Sequence, residues 1–239
     1  MADDDIEYTE SGQPVYRHKA REREFQPASG DARAMEAISR HVGRYLGKVQ
    51  HVFHEIVSDL VHIDIHVVPP QPTRNSITLF TTGMSDRQMT LPPDCDAPAY
   101  AELLLCLPTD WPLEQQDLKN EANYWPLRLL KFLARLPHVY ETWLGFGHTV
   151  PNEDPPEPYD ASTELCCALI VPPTLFDERF DTLAISDDKV VQFYAVVPIF
   201  REEMEFKLRH GTEELLRRFA ATGICELLDP RRPNVCAGA

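Results

Sequence analysis

The sequence contains no long apolar run, and this absence excludes several classes of protein. No stretch approaches the roughly 18 apolar residues that a membrane-spanning helix needs. The acidic start of the chain has no apolar run either, so we expect no signal peptide. The six cysteines form no C-x-x-C pair, which argues against a structural zinc knuckle. Reduced thiols are typical of cytosolic proteins, and we therefore expect a cytoplasmic location.

Positive charge is scarce. The chain has 23 Lys and Arg against 38 Asp and Glu, which gives a formal net charge of −15 at pH 7. This balance argues against a basic surface for nucleic acid or anionic membrane lipid. It indicates either attraction of a basic partner or simply solubility. The bias is strongest in residues 141–188, where eleven acidic residues stand against one basic residue, Arg179. Such a patch would speed the encounter with a cationic partner and make its rate salt-sensitive.

Apolar periodicity predicts both helices and strands. Spacings of three and four predict a helix over about residues 31–49, capped by Ser29 or Asp31. A second helix is predicted from Trp125 to the residue before Pro137. Because strands and helices do not alternate regularly, we expect an α+β fold: a mixed, mostly antiparallel sheet with helices packed on it. The predicted buried face of the second helix consists of Trp125, Leu129, Phe132, Leu133 and Leu136.

The charge and apolar patterns divide the chain into three predicted segments. Residues 1–28 are interpreted as a flexible N-terminal arm because their charge is acidic first and then basic. Residues 29–225 are predicted to form the folded domain. Residues 226–239 are predicted to be a C-terminal tail.

His62, Asp64 and His66 occupy alternate positions of one predicted strand. Their side chains would share one face of the strand, with neighbours two apart separated by about 6.7 Å. The outer two would be about 13 Å apart, so a zinc ion would need a ligand from elsewhere. We favour the polar face of a half-exposed sheet, with no metal and no cofactor. The alternative is a metal-dependent hydrolase that uses these three residues.

Sequence motifs for catalysis are incomplete. Ser58 stands where a zinc-protease helix that begins at His54 would need its second histidine. The turn at Ser85 lacks the second glycine of a nucleophile elbow. Val150 replaces the third glycine of a dinucleotide-binding loop. We therefore predict that the protein is not an enzyme and that it has no catalytic residue.

Five short motifs occur along the chain: early strands that end in a Gly-Met-Ser turn, a Glu-Leu strand, a Trp-Pro helix, a Gly-His turn, and paired glutamates before a closing helix. They lie at residues 83–85, 102–103, 125–126, 147–148 and 202–203. Taken together, these motifs resemble the suppressor-of-fused (SUFU) family over about residues 35–222.

The resemblance implies a suppressor-of-fused-like domain in residues 29–225 and a non-catalytic protein-binding function. Animal members have a second domain and grip a peptide of a zinc-finger transcription factor as an added strand. This chain is too short for that second domain, so we do not expect a two-domain clamp. Many bacterial members are regarded as immunity proteins that neutralise a toxin. The acidic stretch is compatible with such a partner, because nuclease toxins tend to be basic.

We expect a partner segment to bind at a sheet edge or groove through backbone hydrogen bonds. The acidic loop of residues 152–160 would steer its approach. Trp143 and His148 are candidate aromatic anchors, although for Trp143 we favour simple core packing. A scaffold that acts through its own oligomer is a third hypothesis. The candidate partner-binding residues are Trp143, His148, Glu153, Asp154, Glu157, Tyr159 and Asp160.

Overall fold

A computed structural model describes residues 7–19, 23–93 and 95–238. Residues 1–6 and 20–22 of the predicted N-terminal arm lie outside the described residues. The strands are β1 (Glu7–Tyr8), β2 (Pro14–Val15), β3 (His51–Phe53), β4 (Asp64–Val68), β5 (Ile77–Thr82), β6 (Tyr100–Leu107), β7 (Thr149–Pro151), β8 (Cys167–Val171), β9 (Thr182–Ser186) and β10 (Lys189–Ile199). The α-helices are α1 (Ala32–Tyr45), α2 (Glu121–Tyr140), α3 (Arg201–His210) and α4 (Thr212–Thr222).

Eight strands form one sheet in the order β3-β4-β5-β6-β10-β8-β7, with β9 paired to β10. Every pair in this sheet is antiparallel except β6 with β10, which is parallel. Strands β1 and β2 form a separate two-stranded sheet. The predicted fold class, a mixed and mostly antiparallel sheet with helices packed on it, is confirmed.

Strand β10 lies in the middle of the sheet and is its longest strand. Its first half pairs with β9, and its second half pairs with β8. Strand β6 pairs with its other side. Strand β7 extends the sheet beyond β8, so β7 and β3 are the two ends of the strand order.

The two faces of the sheet bury separate sets of apolar side chains. Leu103 and Leu105 of β6 belong to the core under α2, which contributes Trp125 and Leu130. Alternate residues point to the opposite face because the side chains of a strand alternate. Leu104 accordingly belongs to the second core, and the helices that cover this face contribute Ile38, Val42, Phe206, Leu215 and Phe219.

Helix α1 begins as the sequence predicts. The carboxylate of Asp31 accepts hydrogen bonds from the backbone N–H groups of Arg33 and Ala34 at 2.9 and 3.1 Å, so Asp31 is the N-cap. The helix ends at Tyr45 and not at residue 49, because Gly47 adopts a φ of +113° outside helical space.

The predicted limits of α2 were wrong at both ends. The N-cap is Asn120, whose side chain accepts from the N–H of Ala122, and the helix continues past Pro137 to Tyr140. Phe132 is 45% exposed, although periodicity placed it on the buried face. The buried arc extends instead through Leu127 and Leu130, which leaves Phe132 at its margin.

The predicted N-terminal arm and C-terminal tail both contact the domain. Backbone groups of residues 26 and 28 hydrogen-bond to residues 60 and 58. In the tail, Leu227 bridges to Cys106, and Glu226 and Cys236 are buried. The three-segment division and the flexibility of the arm stay predictions.

Candidate functional site

The acidic loop of residues 152–160 connects β7 to β8, and one asparagine closes it. The backbone N–H of Asn152 donates to the carbonyl of Cys166 at 2.8 Å. The Asn152 side-chain amide donates to the carbonyls of Glu157 and Pro158 at 3.0 and 3.2 Å. These bonds fold the loop back on itself, and its prolines restrict the backbone further. The loop is therefore held beside the end of the sheet.

Three of the predicted contact residues, Glu153, Asp154 and Glu157, are exposed. Asp160 is half-buried, and its carboxylate accepts from the N–H of Ser162 at 2.8 Å. The hydrogen bonds from Ser162 lower the pKa of Asp160, so this group stays charged. The loop thus presents three exposed carboxylates and one that holds a turn.

Tyr159 lies in the core and is removed from the set of surface candidates. Its side chain is only 4% exposed, and its ring stacks on Trp125 with centroids 5.1 Å apart. Burial raises the pKa of Tyr159 well above its ordinary value. The sequence placed Tyr159 on the surface because its neighbours are acidic, but the loop turns inward at this residue.

Trp143 and His148 lie together just before the acidic loop. Their rings meet edge to face with centroids 4.2 Å apart, and both are half-buried. Burial lowers the pKa of His148 to about 4, so the imidazole is neutral at pH 7. Phe146, between them, is 50% exposed and was not predicted as a contact. The glycines on either side, Gly145 and Gly147, are the sequence feature that could have indicated a turn with Phe146 at its exposed tip.

Strand β7 has one unpaired side in the part of the chain that the structure describes. Thr149, Val150 and Pro151 pair with Leu169, Ala168 and Cys167 of β8. No other strand is paired with β7 among the described residues. An unpaired strand edge can accept an added strand.

A cation of the N-terminal arm already contacts the acidic loop. One guanidinium nitrogen of Arg17 lies 3.4 Å from an Asp154 carboxylate oxygen, and another lies 3.0 Å from Glu7. All three side chains are largely exposed, so the ion pairs contribute little stability. They do show that the loop has room for a basic side chain.

Five of the remaining acidic residues of the 141–188 stretch flank β9 in the sequence: Asp177, Glu178, Asp181, Asp187 and Asp188. Asp187 and Asp188 form the turn between β9 and β10, and both are exposed. The single basic residue of the stretch, Arg179, is held by Asp177, with a nitrogen–oxygen distance of 2.6 Å. The positive charge of Arg179 therefore neutralises Asp177 and leaves the other carboxylates of the stretch unaffected.

The predicted set His62, Asp64 and His66 does not form one site. His66 is 3% exposed, its ring stacks on Phe80, and its Nε2 lies 2.8 Å from the Thr82 hydroxyl. Burial lowers the pKa of His66 to about 4. The predicted half-exposed polar face is also wrong, because every residue of β4 is buried.

His54 takes the place of His66 beside Asp64. Its Nδ1 lies 2.9 Å from one Asp64 oxygen, and Nε2 of His62 lies 3.1 Å from the other. Strand β3 pairs with β4 and ends at Phe53, so the next residue, His54, arrives next to Asp64. His54 is visible in the sequence, but the pairing of β3 with β4 that brings it to Asp64 is not.

A groove of about 500 Å³ follows the outer side of α2. Its charged lining is mainly basic, from Arg128, Lys131 and Arg135, with one carboxylate from Glu55. Glu55 forms an ion pair with Arg135, and Arg128 donates to the Tyr159 carbonyl. The groove is therefore opposite in sign to the acidic loop. No helix within the described ranges is long and apolar enough to cross a membrane.

The sequence model of the suppressor of fused protein family matches residues 59–233. Among curated proteins, none matches the chain. Solved structures give similar folds at low identity, and such a likeness concerns the fold alone.

One similar structure is a suppressor-of-fused homologue from Neisseria gonorrhoeae, with a TM-score of 0.62 and 17% identity, covering 84% of this chain and 96% of that one. A second is described as the Sufu-Fu complex, with a TM-score of 0.57, 17% identity and coverage of 84% and 92%. A third is Drosophila Suppressor of Fused, also at 0.57 and 17%, covering 84% of this chain and 51% of the other. The present chain thus spans about half of the Drosophila protein.

Proposed function

Because the chain belongs to the suppressor-of-fused family, whose model matches residues 59–233, we propose that it is a non-catalytic protein-binding module. Its partner is a basic protein, and the form we favour is a bacterial immunity or regulatory protein that masks a toxin. The name of one similar structure, the Sufu-Fu complex, is that of a protein assembly and supports this class of function.

One observation carries the proposal: the unpaired side of β7 lies next to three exposed carboxylates. A partner strand that adds to β7 gains backbone hydrogen bonds. The strand is followed directly by the acidic loop, whose Glu153, Asp154 and Glu157 are exposed to solvent. Pro151 lacks an N–H group, so β7 offers fewer donors than its length suggests. We therefore expect charge attraction to contribute more to partner binding, relative to backbone hydrogen bonds, than it would at a strand without proline.

Phe146 and the loop carboxylates supply complementary kinds of contact. The exposed Phe146 ring gives an apolar anchor at the start of β7. The carboxylates accelerate the encounter with a cationic surface, and salt screens that effect. Trp143 and His148, whose rings meet edge to face, lie within three residues of Phe146 in the sequence and add aromatic surface before β7.

The same proposal includes a cytoplasmic location and no binding of nucleic acid or membrane. All six cysteines are free thiols, four of them buried, which agrees with a reducing compartment. The net charge of −15 opposes contact with polyanions.

The test uses the product of the neighbouring gene, purified as a candidate partner, and measures association by stopped-flow mixing at 50 and 500 mM salt. We expect Glu153→Gln combined with Asp154→Asn and Glu157→Gln to slow association about tenfold at low salt, because long-range steering is lost. At high salt we expect the association rates of the variant and of the unmodified protein to become equal, because salt screens the charges.

A matched control removes the same charge elsewhere on the surface. Asp110→Asn, Glu114→Gln and Glu213→Gln change three exposed acidic residues outside the 141–188 stretch. If the control slows association as much as the loop variant, net charge and not the loop governs recognition. If binding occurs with no salt dependence, the electrostatic proposal is wrong.

A further inference from the structure

Three potential metal ligands meet at the end of β4, separately from the β7 edge. They come from His54, His62 and Asp64, each of which offers one ligand atom within 4.8 Å of the other two. We call them the His54–His62–Asp64 cluster. Asp64 is buried, His62 is partly exposed, and the side chain of His54 is 69% exposed. The cluster is thus anchored in the sheet and open to solvent on one side.

The spacing of these atoms is close to that of a tetrahedral zinc site. Ligands about 2.1 Å from zinc lie about 3.4 Å from one another. Nδ1 of His54 lies 2.9 Å from one Asp64 oxygen, and Nε2 of His62 lies 3.1 Å from the other. An ion would widen each distance by a few tenths of an ångström, which rotation of the exposed His54 ring allows. His66, by contrast, would have to leave its stacking contact with Phe80.

Neighbouring groups orient the ligands. The Ser58 hydroxyl lies 2.6 Å from Nδ1 of His62, which leaves Nε2 of that ring to face Asp64. The backbone N–H of Glu55 donates to an Asp64 oxygen at 3.0 Å. Hydrogen bonds of this kind fix ring orientation around protein-bound metals. They restrict how the His62 ring and the Asp64 carboxylate can turn, so the cluster is preorganised.

No lysine or arginine pairs directly with Asp64 among the ion pairs of the described residues. Of the basic residues of α2, Arg135 pairs with Glu55 and Lys131 lines the groove. Within the described part of the chain, the partners of this buried carboxylate are two imidazoles and one backbone N–H. A buried charge is costly unless it is paired or coordinates a metal.

We propose that the His54–His62–Asp64 cluster binds one divalent transition-metal ion of the zinc class. Two imidazoles and a carboxylate suit zinc, cobalt or nickel, whereas calcium and magnesium prefer oxygen ligands alone. The fourth position, on the side of the exposed His54, is open to water or to a donor from another molecule. This site does not depend on the proposed partner-binding function.

The experiment titrates metal-free protein with Co²⁺ and records the visible absorption of the bound ion. We expect one ion per chain, an absorption of the strength typical of four-coordinate cobalt, and displacement by an equal amount of Zn²⁺. His54→Ala lowers the affinity at least tenfold, since it removes one of three ligands. Because His54 is exposed, its loss leaves the fold intact, which circular dichroism verifies.

His51→Ala is the matched control, because His51 is an exposed histidine of the neighbouring strand β3. It should leave the affinity unchanged. A second variant, Asp64→Asn, keeps the side-chain shape and should weaken binding without removing a histidine. Absence of stoichiometric Co²⁺ binding, or equal losses in His54→Ala and His51→Ala, would show that the cluster is a hydrogen-bond network only and overturn the proposal.

Discussion

Carboxylates occupy two contrasting environments in this chain. Glu102, Glu203 and Glu226 have no exposed surface, whereas Glu153, Asp154 and Glu157 of the acidic loop stand in solvent. The buried three bind backbone N–H groups of distant loops. The exposed three bind little within the chain, apart from the contact of Asp154 with Arg17. The same chemical group therefore fastens the fold in one region and is left available in the other.

Each buried glutamate joins segments that are far apart in sequence. Glu102 accepts from the N–H groups of Gly83 and Ser85, both at 3.0 Å. Glu226 accepts from the N–H groups of Thr174 and Leu175 at 2.7 and 2.8 Å. The acidic residues of the chain therefore have two roles: buried glutamates hold the fold together, and only the exposed carboxylates are available to a partner.

The largest expected effect comes from Glu203→Ala. The two Glu203 oxygens accept from both terminal nitrogens of Arg232 at 2.7 and 2.6 Å, and they also accept from the N–H groups of Phe200 and Val235. Removing the carboxylate leaves a buried guanidinium without its partner, so we expect the free energy of unfolding to fall by about 3–5 kcal/mol. Urea denaturation measures the loss.

The adjacent residue provides the control for that variant. Glu202 is exposed, and its carboxylate accepts one hydrogen bond from the Asn234 amide at 2.8 Å. Glu202→Ala should cost less than about 1 kcal/mol. Equal losses in the two variants would contradict the distinction between buried and exposed carboxylates.

A smaller, pH-dependent effect is expected for Glu102→Gln. Burial raises the pKa of Glu102 from 4.5 to about 7, against the hydrogen bonds from Ser85 and Thr81, which lower it. The folded protein therefore binds a proton that the unfolded chain releases between these values. The contribution of Glu102 to stability is full below pH 4.5 and is lost as the pH rises through 7.

Glutamine stays neutral across this range, so the variant gains stability relative to the unmodified protein as the pH rises. We expect a relative gain of about 2–3 kcal/mol between pH 4.5 and 8. Paired urea titrations at several pH values measure it. Glu157→Gln, in the acidic loop, is the control and should show no such trend. A difference that is constant with pH would mean that Glu102 is not protonated in the folded state.

The smallest stability effect is expected in the acidic loop itself. The combined change Glu153→Gln, Asp154→Asn and Glu157→Gln should leave the urea midpoint unchanged within experimental error, because these side chains are exposed. A clear loss of stability would show that the loop is structural and would remove the contrast with the buried glutamates.

Local patterns in the sequence were sufficient for much of the fold. Apolar periodicity located α1, and the carboxylate of Asp31 caps it as predicted. The alternation of His62, Asp64 and His66 indicated the strand that is β4, and the irregular order of helices and strands indicated a mixed sheet. Pro137 misled the prediction for α2, because the helix continues for another three residues beyond it. Tertiary packing of α2 outweighs the hydrogen bond that proline removes.

The candidate sites were harder to predict because they depend on long-range pairing. The sequence shows His62 and Asp64 as strand neighbours but does not show that β3 brings His54 to them. Likewise, nothing local reveals that Tyr159 turns inward to stack on Trp125. The exposure of the acidic residues within 153–157 could be predicted, because a charged side chain is rarely buried. An aromatic side chain can be buried or exposed, so the position of Tyr159 could not be predicted in the same way.

The parallel contact between β6 and β10 has a consequence for how the chain acquires its structure. These strands lie side by side, yet α2 and three further strands separate them in sequence. Closing so long an intervening segment costs configurational entropy before the reward of pairing is gained. During synthesis the sheet cannot be completed until β10 has left the ribosome. Ribosome-bound chains that stop before β10 should therefore remain sensitive to protease, although most of the protein has already been made.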